Sequence, residues 1–280
     1  MKKKHILVAI PSLALSTIIL LIVIFVRHYE PTPKPVIPNE EQNQVADNGN
    51  LNGELGDGTD LPDGEQSDGD LTPDVPDEPE VKPLEFVPSD KSYFDDALFI
   101  GDSRTVGIYE YGDLGNVTYF ATEGMSIYRL WKELVPVKGM GSNYLEPLIK
   151  AKDYKKIYIM LGINELGYDY QETMNKYKAT LDKLHELAPD AIIYVCSNLH
   201  VTATQSAKSE IHNNTNINKF NEGIKEFTDH ETFFYLEVNQ LFDDGYGNLR
   251  EDYTADNIHI LAKYYAEWAE WFCQNTIVRE

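Results

Sequence analysis

Cysteine is nearly absent: Cys196 and Cys273 are the only two among 280 residues. Two thiols cannot build a disulfide-stapled scaffold, and they exclude every multi-cysteine zinc or iron–sulfur motif. Basic residues are scarce as well. Lys and Arg number 24 against 46 Asp and Glu, a net charge of −22. Binding nucleic-acid phosphates needs basic patches, so this balance argues against a nucleic-acid partner. Long apolar runs are missing from all but one place, the uncharged stretch from Ile6 to Val26 between Lys2-Lys3-Lys4 and Arg27. A helix over it would span about 31 Å, close to the hydrocarbon thickness of a bilayer. A cleavable signal has a shorter apolar core followed by a small-x-small site, and Ile24-Phe25-Val26 offers no such site. We expect residues 1–28 to be a transmembrane signal anchor, with the lysines holding the N-terminus in the cytoplasm and the rest of this single-pass membrane protein extracytoplasmic.

Residues 29–84 lack Trp and Phe and hold a single aromatic, Tyr29. They carry nine of the 14 prolines and 15 acidic residues against Lys34 and Lys82. Such a chain cannot bury enough apolar surface to offset its ordering entropy, and we expect a disordered acidic linker. Its Asp-Gly pairs, Asp57-Gly58, Asp63-Gly64 and Asp68-Gly69, form no EF-hand pattern, so solvated spacer is preferred to a calcium loop.

Residues 85–280 are long enough for one domain with a sizeable core. Five short apolar runs stand out: 97–100, 117–121, 156–161, 191–196 and 232–238. Their continuous hydrophobicity predicts strands buried on both faces. Between them Asp169-x-x-Glu172 reads as a helix cap, followed at helical spacing by Tyr170, Met174, Tyr177, Leu181, Leu184 and Leu187, with Pro189 as the stop. A last helix is expected to start near Ile260, with Leu261, Tyr264, Tyr265, Trp268, Trp271 and Phe272 forming a stripe that packs on the sheet. The alternation predicts an α/β fold, a three-layer α/β/α sandwich. In such sheets ligands bind beyond the carboxyl ends of the strands.

The loops at those ends hold four signals. Gly101-Asp102-Ser103 places a hydroxyl at a strand-to-helix turn, where a helix N-terminus favours negative charge, although a serine there also serves as a cap. Gly124 follows the second run, where a glycine either turns the chain or brings its N–H close to a ligand. Gly162-x-Asn164 follows the third, and Asn164 either closes a turn or donates into the same crevice. Asp256-x-x-His259 precedes the last helix. There the aspartate either caps that helix or orients the imidazole.

Taken together and in this order, the four blocks resemble the SGNH (GDSL) hydrolase superfamily over about residues 95–275. The resemblance implies a flavodoxin-like sandwich with a five-stranded parallel sheet. It implies Ser103 as nucleophile, His259 as general base and then acid, and Asp256 as the residue orienting it. The oxyanion hole would be the Ser103 N–H, the Gly124 N–H and the Asn164 side chain, with Gly139 and Gly141 as other glycines in the same connection. No metal or organic cofactor is implied. Two positions depart from the usual pattern: Arg104 replaces leucine and Glu165 replaces aspartate.

The expected activity is serine esterase chemistry through an acyl-enzyme. O-acetyl groups of cell-wall or extracellular carbohydrate are the favoured substrate, given the anchor and spacer. The alternatives are a lipase, lysophospholipase or thioesterase, acetyl transfer to a sugar, or a polysaccharide-binding module on the same scaffold. Tyr168 and Tyr170 either stack on a sugar or belong to the core. His200 and His212 show no ligand spacing and read as surface histidines. Cys196 and Cys273 read as two separate buried thiols in preference to a disulfide.

Overall fold

The computed structural model describes residues 84–279. The anchor expected over residues 1–28 and the linker expected over 29–84 lie outside them, apart from Leu84 itself. Among the described residues no helix is long and apolar enough to cross a membrane.

All five apolar runs form strands: β1 (Ala97–Gly101), β2 (Thr118–Ala121), then β5 (Lys156–Met160), β6 (Ile192–Cys196) and β7 (Phe233–Leu236). They make one parallel sheet in the order β2-β1-β5-β6-β7. Between β2 and β5 lies a hairpin, β3 (Val135–Val137) with β4 (Gly141–Asn143), absent from the sequence reading. It carries Gly139 and Gly141 in exposed positions, and neither lines the cleft that holds Ser103. Among the described residues seven α-helices complete the layers: α1 (Ser103–Tyr111), α2 (Leu145–Ala151), α3 (Tyr170–Leu187), α4 (Ala203–Lys208), α5 (Asn214–Lys225), α6 (Asn239–Phe242) and α7 (Tyr265–Gln274).

Strict alternation of side chains divides the core in two. Leu98, Ile100, Ile157, Ile159, Ile193 and Val195 face one side and pack with Leu181 and Leu184 of α3 and Phe220 and Ile224 of α5. The residues between them are largely aromatic. Phe99, Tyr158, Tyr194 and Phe234 are register partners across four strands. Phe99 stacks on Tyr158 at 4.2 Å and Tyr158 on Tyr194 at 4.3 Å between ring centroids. Trp268 and Phe272 of α7 close over this ladder together with Ile108 of α1. Burying each such ring is worth up to about 3 kcal/mol. The aromatic stripe of the last helix is thus core, as expected, but α7 begins at Tyr265 after a 3-10 turn over Ala262–Tyr264.

The expected cap holds: Asp169 accepts from the Glu172 N–H at 2.8 Å. At the other end of the domain, Val87 and Thr276 exchange two backbone hydrogen bonds, at 2.8 and 3.1 Å. Cys196 and Cys273 are both buried and unpaired.

Candidate active site

The carboxyl ends of β1 and β5 set the floor of the site. β1 ends at Gly101, where a Cβ would run into the Thr105 side chain and lie 2.9 Å from the Met160 carbonyl oxygen, so glycine suits this turn into α1. Asp102 caps α1 by accepting from the Arg104 N–H at 3.0 Å. Ser103 is the first residue of the helix, with its hydroxyl turned toward His259. Here cap and nucleophile candidate are adjacent residues, and the capping role falls to Asp102.

His259 sits in a short loop closed by the Thr254–Ile260 bridge. Asp256 organises that loop. Its Oδ1 accepts from the Ile258 and His259 N–H groups at 2.9 and 2.8 Å, and its Oδ2 accepts from His259 Nδ1 at 2.7 Å. Asn257 between them has φ +72°, a conformation asparagine tolerates better than most residues. The Asn257 carbonyl is held by the Thr202 N–H at 3.1 Å, which pins the loop to the segment following β6. Partial burial pushes the Asp256 carboxyl up, but the His259 ring and the two backbone donors outweigh it and hold it at about 2. An ionised Asp256 fixes the proton on Nδ1. His259 Nε2 is then an acceptor, and Ser103 Oγ donates to it across 2.9 Å.

Gly124 and Asn164 line the same cleft as Ser103 and His259. Gly124 has φ +67°, which favours glycine. Asn164 donates one amide hydrogen to the Met125 carbonyl at 2.9 Å, fixing the direction of its side chain. The cleft has a volume of about 680 Å³. Glu110, Tyr111, Glu123 and Ile258 also face it without having stood out in the sequence, as does Tyr265, expected only as part of the packing stripe. Glu110 and Tyr111 lie two turns along α1 from Ser103, at the spacing that shares a helix face, so their signal was present.

Beneath the cleft is a buried charge cluster made by the two departures from the usual motif. Arg104 is fully enclosed. Its guanidinium holds the Asp102 carboxylate, with Nε at 2.9 Å, and donates to Asn198 Oδ1 at 2.9 Å. Burial works against its charge, yet Asp102 and then Glu165 keep its pKa above the usual value. Glu165 is also buried and accepts from the Ile127 N–H at 2.5 Å. With the Asn164–Met125 contact, this bond ties the Gly124 segment to the Gly162–Glu165 turn. Burial pushes the Glu165 carboxyl up to about 7, with the Asp102 charge adding to it against Ile127 and Arg104.

Three expectations need correction. Tyr168 and Tyr170 do not reach the catalytic cleft. They border a separate hollow of about 220 Å³ with Lys219 and Phe220. Tyr168 stacks on Tyr128 at 4.8 Å, and Lys219 lies 4.1 Å over the Tyr170 ring. His200 is no surface residue. It is buried, with Nδ1 2.8 Å from Asp243 Oδ2 and Nε2 2.6 Å from Asn218 Oδ1. His212 lines the rim of the cleft rather than standing apart from it.

A nucleophile candidate at a strand end, a histidine across from it and a carboxylate behind define a hydrolase cleft in a parallel α/β sandwich. The chain belongs to the GDSL-like lipase/acylhydrolase family, whose model matches residues 99–266, and it is accordingly a serine hydrolase of the esterase class. Similar solved structures include an acetyl xylan esterase at 18% identity, covering 63% of this chain and 97% of its own, with a TM-score of 0.47. A mutant acetylxylan esterase from Geobacillus stearothermophilus shares 13% identity, covering 63% of this chain and 91% of its own, with a TM-score of 0.45. A GDSL-like lipase from Bacteroides thetaiotaomicron shares 14%, covering 64% and 85%, with a TM-score of 0.46. No curated protein matches the chain.

Proposed function

We propose that this esterase removes O-acetyl groups from carbohydrate at the outer face of a membrane, using Ser103, His259 and Asp256 as its catalytic triad. The observation that carries the triad is the continuous hydrogen-bond chain Ser103–His259–Asp256, at 2.9 and 2.7 Å, opening on the cleft.

The mechanism follows from the protons. Ser103 Oγ attacks the ester carbonyl while its proton passes to His259 Nε2. The imidazolium that forms is stabilised by ionised Asp256. The tetrahedral oxyanion takes hydrogen bonds from the Ser103 and Gly124 N–H groups and the second Asn164 amide hydrogen. Each such donor is worth about 3–4 kcal/mol in comparable sites. His259 then protonates the leaving sugar hydroxyl, and the acyl-Ser103 ester remains. Water, activated by His259, attacks this ester, and collapse of the second intermediate frees acetate and restores Ser103.

Two carboxylates on the otherwise largely apolar cleft favour a polar substrate. Glu110 and Glu123 are exposed on it, and burying a long methylene chain against carboxylates would strip their water. Placement outside the membrane rests on Lys2-Lys3-Lys4, the uncharged run that follows, and the acidic stretch after it.

The test compares hydrolysis of p-nitrophenyl acetate, butyrate, octanoate and palmitate by the full-length chain and its Ser103→Ala variant. Acetate preference that disappears with Ser103 is the expected result. Preference for palmitate would transfer the reading to lipids, and turnover unchanged in Ser103→Ala would remove Ser103 from the mechanism.

A further inference from the structure

The catalytic cleft does not end at Ser103. A second hollow, of about 260 Å³, shares Val106, Glu110 and Glu123 with it and continues over the outer face of α1. β2, the edge strand of the sheet, lines it with Tyr119, and the β3–β4 hairpin closes it with Pro136 and Lys138. A further depression of about 280 Å³ shares Tyr109, Glu110, Tyr119 and Lys138. The three are therefore one trough running away from the nucleophile.

Its walls combine aromatic faces with carboxylates. Tyr109 is 44% exposed and Tyr111 51% exposed, whereas most rings of the domain are buried or half-buried. Both are held from behind: Tyr109 packs on Tyr119 at 5.1 Å and Tyr111 on Tyr265 at 5.9 Å. They are rigid platforms rather than loose side chains, since little rotamer freedom is left to lose on binding. Glu110 stands between them in sequence and faces both hollows.

We propose that this trough is a binding subsite for a glycan chain, so that the enzyme acts on an ester carried within an oligomer or polymer and not on a single sugar. The inference rests on the carbohydrate reading of the cleft. Sugar rings present apolar C–H faces and a rim of hydroxyls. Tyr109 and Tyr111 match the faces, and Glu110 and Glu123 match the hydroxyls as acceptors. An acyl chain in the same trough would desolvate both carboxylates without giving them a partner. Glu110, Glu123 and Asp113 outnumber Lys138 along the trough, which disfavours a polyanionic glycan, so the occupant is a neutral or amine-bearing chain.

The experiment measures kcat/KM of the full-length protein for O-acetylated chito- and xylo-oligosaccharides of two and five units, with p-nitrophenyl acetate alongside. For wild type we expect the five-unit substrate of at least one series to exceed its two-unit counterpart by tenfold or more. In Tyr109→Ala and Tyr111→Ala that advantage should shrink at least fivefold, mostly through KM, when referred to each variant's rate on p-nitrophenyl acetate. Tyr109→Phe should retain it, because the ring and not the hydroxyl is used. Equal rates on two and five units, or a length preference that survives both alanine variants, would overturn the subsite while leaving the esterase reading intact. Ser103-dependent hydrolysis of p-nitrophenyl acetate with no release of acetate from any oligosaccharide would overturn the carbohydrate reading and the subsite with it.

Discussion

The described residues contain two histidine–aspartate pairs of nearly equal geometry. His259 meets Asp256 at 2.7 Å and His200 meets Asp243 at 2.8 Å. The difference lies across the ring. His259 Nε2 faces the Ser103 hydroxyl on an open cleft, with its side chain 43% exposed. His200 Nε2 faces Asn218 Oδ1 in the interior, with its side chain 9% exposed. Both nitrogens of His200 already have side-chain partners in the interior, so this ring, when it carries a charge, has no substrate to pass a proton to. Burial works against that charge, but Asp243, Asn218 and Glu237 raise the His200 pKa regardless. A carboxylate behind an imidazole is thus as useful for holding a fold as for chemistry. What decides between them is whether the second nitrogen is left free to accept.

Substitutions at the two pairs should separate rate from stability. Ser103→Ala and His259→Ala should each lower kcat on p-nitrophenyl acetate by at least about 10³-fold, with denaturant midpoints little changed. Asp256→Asn leaves a hydrogen-bonding side chain but weakens the tautomer control, and we expect a loss of about 10²–10³-fold. Because Asp256 is held at about 2, its own ionisation should add no limb to the wild-type rate profile at or above pH 4. A falling limb at pH 4 that vanishes in Asp256→Asn would contradict that. Glu165→Gln touches neither pair, and should lower kcat about tenfold by loosening the tie between the Gly124 and Asn164 segments. Its pKa of about 7 lies above the unfolded value. The stability it confers is complete below about pH 4.5 and is lost as pH rises through 7. Glu165→Gln should therefore flatten the decline in midpoint between pH 5 and 8.

The smallest effect on rate is expected at the buried pair. His200→Ala should keep kcat within about threefold while costing about 2–3 kcal/mol in urea unfolding, because Asp243 loses its partner. The raised His200 pKa has the same sign as that of Glu165. Its contribution is present below about pH 6.5 and declines as pH rises through the folded value. The double variant should be nearly insensitive to pH over that range, and residual sensitivity equal to wild type would refute both assignments.

Features carried by neighbouring residues were legible in the sequence. The five strands showed as unbroken apolar runs because both faces of the sheet are covered. Asp169 and its helix read correctly because a cap acts within three residues. The spacing Asp256-x-x-His259 matched its geometry for the same reason. Features made by distant residues were not. His200 looked like a surface histidine because Asp243 and Asn218 reach it only through the packing of α5 and α6 onto the sheet. Arg104 and Glu165 looked like two unrelated departures, and only the pairing of β1 with β5 brings them together. The hairpin β3–β4 escaped notice because three-residue strands, one with Pro136 at its centre, leave no periodicity to read. Tyr168 and Tyr170 follow Asn164 closely in sequence, but the start of α3 carries them to a different hollow.

The two hydrogen bonds between Val87 and Thr276 bring the beginning and the end of the folded domain within a few ångströms of each other. Such a molecule is a closed circuit in all but one covalent bond. A short peptide joining the end near Thr276 to the start near Val87 should let the chain be reopened elsewhere, for instance in the exposed turn around Gly139, without disturbing the order of the parallel strands. The same adjacency means that a partner domain inserted through this seam would enter and leave at one point, as a side branch hung from a single node.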